Sequence, residues 1–172
     1  LNIGEGGQGL LGSYDNGTTT PKSIVNQSTG NITATSGGIG LAAVKGATAP
    51  TGDITINNAG NITASGKSSA GKNSVGIYTD VAAINNTGTV NVGTDGIGIY
   101  AAESGKAVTN DNMTMTGNNG IGVYIKGATG GLTANNITST TTGNTGLVLE
   151  GVTSNIDAGT ITLGNESVGV MA

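Results

Sequence analysis

The stretch Asn85-Asn86-Thr87-Gly88-Thr89-Val90-Asn91-Val92, followed by Asp95-Gly96-Ile97-Gly98-Ile99-Tyr100, decides how this chain folds. Its second half alternates: Ile97, Ile99 and Ala101 fall on one side of an extended backbone, Gly98 and Tyr100 on the other. A period of two with β-branched residues on one face reads as a strand half-buried on a core. The helical alternative is weak, because each interior Gly costs about 1 kcal/mol relative to Ala in a helix.

The same block recurs along the chain. Copies read Gly38-Ile39-Gly40-Leu41, Ser74-Val75-Gly76-Ile77-Tyr78, Gly120-Ile121-Gly122-Val123-Tyr124, Thr145-Gly146-Leu147-Val148 and Ser167-Val168-Gly169-Val170-Met171, with a degenerate first copy at Gln8-Gly9-Leu10-Leu11. The central Gly lies at 9, 40, 76, 98, 122, 146 and 169, in steps of 31, 36, 22, 24, 24 and 23. A second block precedes the first and places an apolar residue at Ile32, Ile62, Val90, Met113, Ile137 and Ile161. A looser third segment comes earlier still, as in Ile54-Thr55-Ile56, Ala82-Ala83-Ile84 and Ile156-Asp157.

Three short apolar segments in about 23 residues predict an all-β parallel β-helix, a solenoid with three short strands per rung and roughly seven rungs. At the strand spacing of such a stack the rod would be roughly 34 Å long. The chain reads as a single segment over 1–172, with surface inserts near 12–22, 45–52 and 66–72. Positions −1, +1 and +3 around each central Gly are expected to point inward, and Gly and Tyr outward. Asn26, Asn57, Asn85 and Asn110 recur near one bend, where stacked side-chain amides would bond from rung to rung.

Composition agrees with a scaffold. The chain has 172 residues with 33 Gly, two Pro, four Tyr, no Phe or Trp, and 9% charged residues. Gly, Thr, Asn and Ser make up more than half of it, yet the mean hydropathy of +0.02 and 35% hydrophobic content separate it from a disordered tract. Neither His nor Cys is present, which removes His-based general bases, Ser-His-Asp and Cys-His nucleophiles, zinc fingers and disulfides. Six Lys, no Arg and a net charge of −4 argue against a nucleic-acid partner. No apolar run reaches the roughly 18 residues of a membrane-spanning helix.

Units of the form Asn-x-Gly-x-Ile-x-Val followed by Gly-Ile-Gly-Ile-Tyr, best matched by Asn86 to Val92 and Gly96 to Tyr100, resemble the passenger domains of type V autotransporters. They are most similar to those of the large fusobacterial outer-membrane adhesins of the RadD type, over about residues 24–172. The resemblance implies a right-handed β-helix exported through an outer-membrane barrel that lies outside this segment. It further implies display on the bacterial cell surface and a role as adhesin scaffold in coaggregation or host-cell attachment, with a host or bacterial surface protein or glycan as partner. On this reading the segment is an excerpt of a longer passenger, and lateral self-association is open. The family supplies no catalytic residue, cofactor or metal site. Two alternatives remain: a passive stalk projecting a distal binding tip, and a polysaccharide-active β-helix enzyme.

Two sets of residues are candidates for binding. Tyr78, Tyr100 and Tyr124 fall on consecutive rungs, with Gly76, Gly98 and Gly122 two residues earlier. They would form an aromatic strip beside a flat glycine track, or simply stack on one another and cover bare backbone. The second set lies in loops leaving the Gly-centred strand: Tyr14, Asp15 and Asn16 in the first insert, and Lys45, Lys106 and Lys126 in the inserts and in the shorter loops 102–107 and 126–131. Loops on a rigid scaffold often carry recognition, although a tolerated insertion looks the same in sequence. Among the acids, Asp95 and Asp111 fall in different segments, and Asp53, Asp80 and Asp157 share no evident strand face, so no catalytic pair is expected.

Overall fold

The computed structural model describes residues 1–127 and 130–172; the middle of the expected 126–131 loop lies outside the described residues. It is all-β, with no helix among the described residues. In chain order the strands are β1 (Asn2–Ile3), β2 (Gln8–Tyr14), β3 (Lys22–Asn26), β4 (Asn31–Thr35), β5 (Ile39–Lys45) and β6 (Ile54–Asn58). Next come β7 (Asn61–Ser65), β8 (Val75–Thr79), β9 (Ala83–Val92), β10 (Ile97–Ala102), β11 (Val108–Met115) and β12 (Ile121–Lys126). The last are β13 (Leu132–Ser139), β14 (Thr145–Glu150), β15 (Ile156–Asp157), β16 (Thr160–Thr162) and β17 (Val168–Met171).

They form two parallel sheets. The seven Gly-centred strands stack in sequence order, from β2 through β5, β8, β10, β12 and β14 to β17. The other ten strands form the second sheet, along the path β1-β4-β7-β9-β11-β13-β15 with β3, β6 and β16 attached. Every strand pairs with the strand one repeat away, and like residues meet: Ile97 lies against Ile121, Ile62 against Val90, Ala64 against Val92. Column stacking of this kind lets repeats that cannot bury an apolar face alone share a continuous core.

That core is built from columns. Leu41, Ile77, Ile99, Val123 and Leu147 are fully buried on one sheet, and Ile32, Ile62, Val90, Met113 and Ile137 face them from the other. A third column runs Ile24, Ile56, Ile84, Val108 and Leu132. Val75 and Ile97 at position −1 are buried but stand outside the continuous core, so inward packing belongs to +1 and +3. The core thins at the ends, where Leu10, Leu11, Val168, Val170 and Met171 are exposed.

Three strands per repeat occur only in part of the chain. β3 and β4, and β6 and β7, are separate strands, whereas the equivalent segments fuse into the single strands β9, β11 and β13. The bend survives inside them as an irregularity of register between Asn110 and Asn112. A buried amide ladder marks it. Asn26 Nδ2 donates to Asn58 Oδ1 at 2.7 Å, Asn58 Nδ2 to Asn86 Oδ1 at 2.6 Å, and Asn86 Nδ2 to Asn110 Oδ1 at 2.8 Å. The ladder therefore uses Asn58 and Asn86, not the neighbouring Asn57 and Asn85 expected from sequence. Ile56 and Ile84 point inward, and the strand period of two carries the next inward place to 58 and 86.

Entry into each Gly-centred strand has its own device. The residue three places before the central Gly has positive φ in six of the seven repeats: Gly6, Gly37, Asp95, Asn119, Gly143 and Glu166. Gly, Asn and Asp tolerate this left-handed conformation and fill five of the six places; Glu166 is the exception.

Candidate functional site

Tyr78, Tyr100 and Tyr124 sit at the same place in β8, β10 and β12 and pair in register. All three are half-buried on the outer face of the seven-stranded sheet. Their rings do not form one uniform stack. Tyr100 and Tyr124 lie nearly parallel, with centroids 4.8 Å apart and planes at 11°. Tyr78 meets Tyr100 edge-on, at 5.5 Å and 78°. Burial pushes the Tyr78 phenol above its ordinary range, helped by the nearby Asp80 carboxylate.

The glycines are not part of this strip. Gly76, Gly98 and Gly122 are buried. A Cβ on Gly76 would lie 2.6 Å from the carbonyl oxygen of Gly98 and 3.2 Å from Ile62 Cγ2, and on Gly98 it would meet Met113 Cε at 2.6 Å. Their missing side chains would thus project into the core and against the next repeat. The expected flat glycine track beside the tyrosines does not exist, because the strand departs from simple alternation at each central Gly. The register pairs skip these positions, which is the backbone trace of that departure.

Beside the tyrosines runs a second outer column. Register places Asp80, Ala102, Lys126 and Glu150 on successive strands or just past their ends. At its upper end the Tyr124 hydroxyl donates to Glu150 Oε2, and Lys126 Nζ lies 3.0 Å from Glu150 Oε1. These contacts hold the Glu150 carboxyl below its usual range, first through Tyr124 and then through Lys126. They also raise Tyr124, mainly through the hydrogen bond to Glu150. The Lys126 ammonium is raised by the same carboxylate.

At the lower end the column has a gap. Ala102 stands between Asp80 and Lys126, and its small side chain leaves an open groove of about 290 Å³. Tyr78 and Tyr100 line one side, and Lys45 and Glu103 reach its rim. The Asp80 carboxylate is fixed by accepting the Lys45 backbone N–H at 2.7 Å.

Of the loop candidates, Lys45 and Lys126 come together at this groove and the others do not. Lys106 Nζ instead lies 2.9 Å from Asp53 Oδ1. Tyr14 ends β2 and packs half-buried against the core with its ring folded over Gly12. Asp15 forms a local turn by accepting the Gly17 N–H at 3.0 Å, and Asn16 is exposed at its tip. The insert at 66–72 is tied down rather than free: Lys67 pairs with Asp95 at 3.2 Å, and Ser69 donates to Glu5 through both its backbone N–H and its hydroxyl. These bonds from Ser69 hold the Glu5 carboxyl low.

Sequence reasoning missed Asp80, Ala102, Glu103 and Glu150 as neighbours of the tyrosines. A signal was present, since each is four or five residues past a central Gly, where the outer face continues. Among the described residues no group of three or more acids gathers as a metal site would require.

What this geometry defines is a repetitive all-β protein of parallel sheets with an aromatic groove on one outer face. No known protein family matches the chain, and no curated protein or solved structure shows significant similarity to it.

Proposed function

We propose that the chain is a rung-by-rung segment of a right-handed parallel β-helix. Its role would be that of an adhesin scaffold in a surface-displayed type V autotransporter passenger, of the kind found in large fusobacterial outer-membrane adhesins. The observation that carries this reading is the register: each strand of both sheets pairs in parallel with the strand one repeat away, from Asn2 to Met171. A chain that repeats its pairing in this way can be lengthened by whole repeats without a new core, which suits a protein that must reach outward from a cell. The buried Asn ladder and the closely packed central glycines favour the coil further, because both work only between stacked copies. The Gly-Ile-Gly-Ile-Tyr units carry the link to autotransporter passengers.

On this reading the chain is not an enzyme and works by presenting surface. Three of its acids are engaged with lysines, Asp53 with Lys106, Asp95 with Lys67 and Glu150 with Lys126. The parent is anchored by a barrel outside this segment.

The test is direct. The purified chain, fluorescently labelled, should bind bacterial or epithelial cells saturably and block adhesion of cells that carry the parent. Saturable binding absent from every cell type, with the fold intact by circular dichroism, would leave only the spacer role. Release of reducing ends or unsaturated products from a polysaccharide would overturn the non-catalytic reading.

A further inference from the structure

We propose that the groove at the Tyr78–Tyr100 step binds a neutral saccharide ring, a hexose or N-acetylhexosamine unit of a glycan. The inference deepens the adhesive reading and rests on it only for where such a glycan would be met.

The parallel stack closes Tyr100 against Tyr124, but Tyr78 turns through 78° to Tyr100 and breaks the stack at the step where Ala102 leaves its gap. Had the three phenols served only to cover backbone, continuing the parallel stack would have covered it equally. Sugars have one apolar C–H face and a rim of hydroxyls. They are held by an aromatic ring beneath that face and a few fixed polar groups around it. Both parts are present. Tyr78 and Tyr100 form the aromatic wall, while Asp80 and Glu103 offer acceptors and Lys45 a donor. Asp80 is already oriented through one oxygen by the Lys45 N–H, which leaves its second oxygen for a ligand hydroxyl. A groove of about 290 Å³ lies just below the usual range for drug-sized ligands, a size that suits a single sugar ring.

Charge selects a neutral ligand. Lys126 is engaged with Glu150, so Lys45 is the one lysine at the rim without an ion pair among the described residues, and it faces Asp80 and Glu103. An acidic sugar would meet two carboxylates against one unpaired ammonium. A peptide adding as a strand is excluded by position, since β8 and β10 are interior strands bonded on both sides.

The experiment is an amide shift titration of the isotope-labelled chain with millimolar lactose, N,N′-diacetylchitobiose and sialyllactose. Saturable shifts centred on Tyr78, Tyr100, Ala102 and Lys126 are expected with at least one neutral sugar and not with the sialylated one. Ala102→Leu, which fills the gap and leaves both rings in place, should weaken binding about tenfold or more with unchanged thermal unfolding. Tyr78→Ala, removing one wall from a half-buried site, should weaken it similarly. No saturable shift with either neutral sugar, tighter binding of sialyllactose, or unchanged affinity in Ala102→Leu would each overturn the proposal. Saturable cell binding by a chain that shows no saturable shift with either neutral sugar would leave the adhesin reading standing while this groove is rejected.

Discussion

Asn86 donates its side-chain amide to Asn110 Oδ1 at 2.8 Å, with both side chains wholly buried. Asn86 also accepts from Asn58 at 2.6 Å, so one residue joins three repeats. Removing it leaves the Asn110 carbonyl without its donor inside the core. A buried polar group without a partner costs about 1–3 kcal/mol. Asn86→Ala should therefore lower stability by about 2–3 kcal/mol, read as a fall in the urea midpoint. Asn85→Ala, one residue away and exposed, should change it by less than about 0.5 kcal/mol. Equal effects from the two would refute the ladder.

Glycine at the centre of each repeat is required by packing at Gly98 and not at Gly169. A Cβ on Gly98 would lie 2.7 Å from the Gly122 carbonyl oxygen and 2.6 Å from Met113 Cε, while on Gly169 it would meet nothing within 4 Å. The methionine tip can move, but the backbone oxygen is held by the sheet. Gly98→Ala should thus destabilise by about 1–3 kcal/mol. Gly169→Ala should stay within about 0.5 kcal/mol of the parent. Thermal melts of the two variants decide it, and a tolerated Gly98→Ala would mean that the repeats are not stacked this closely.

Much of this architecture was legible because stacking demands like on like. The columns through Ile99 and Ile62 could be traced from spacing alone, and so could the tyrosine line, whereas the −1 residues such as Ile97, expected to point inward, stand outside the continuous core. The amide ladder was misread by one residue where the sequence offers the pairs Asn57-Asn58 and Asn85-Asn86. Parity from the inward Ile56 and Ile84 selects the second of each pair. The inward glycines were not legible in this way: strict alternation puts Gly98 beside Tyr100, and only the backbone departure at each central Gly reverses it. The groove depends on Ala102 lying between Asp80 and Lys126, a cross-repeat relation that appears once exact register is known.

Glu150 couples to Tyr124 and Lys126 at the surface, and the coupling has a pH signature. The Glu150 carboxyl titrates below its ordinary value, so its contribution is present above the unfolded carboxylate pKa and lost as pH falls through the lowered folded one. Tyr124 is raised, so its contribution is present below the unfolded phenol pKa and lost as pH rises through the higher folded value. Glu150→Gln should return the Tyr124 titration towards that of free tyrosine. Tyr78, raised chiefly by burial, should not move. Phenolate absorbance during alkaline titration checks both, and a variant whose titration matches the parent would remove the Tyr124–Glu150 bond from consideration.

The amide ladder stops at Asn110, and the reason points to a stabilising change. Asn110 Nδ2 is buried and has no acceptor, because its partner in the next strand is Ala134. The preceding register pairs, Asn58 with Asn86 and Asn86 with Asn110, set the same spacing and each carries the bond. Ala134→Asn would place a carbonyl where Asn110 Nδ2 needs one. Satisfying a buried donor should raise stability by about 1 kcal/mol, provided the new amide finds an acceptor at the bend as Asn58 does on the Gly60 carbonyl at 3.2 Å. A higher urea midpoint for Ala134→Asn, absent in the double variant Asn110→Ala with Ala134→Asn, is the expected result. A lower midpoint in the single variant would show that the bend beyond Asn110 no longer has the geometry that carries the ladder.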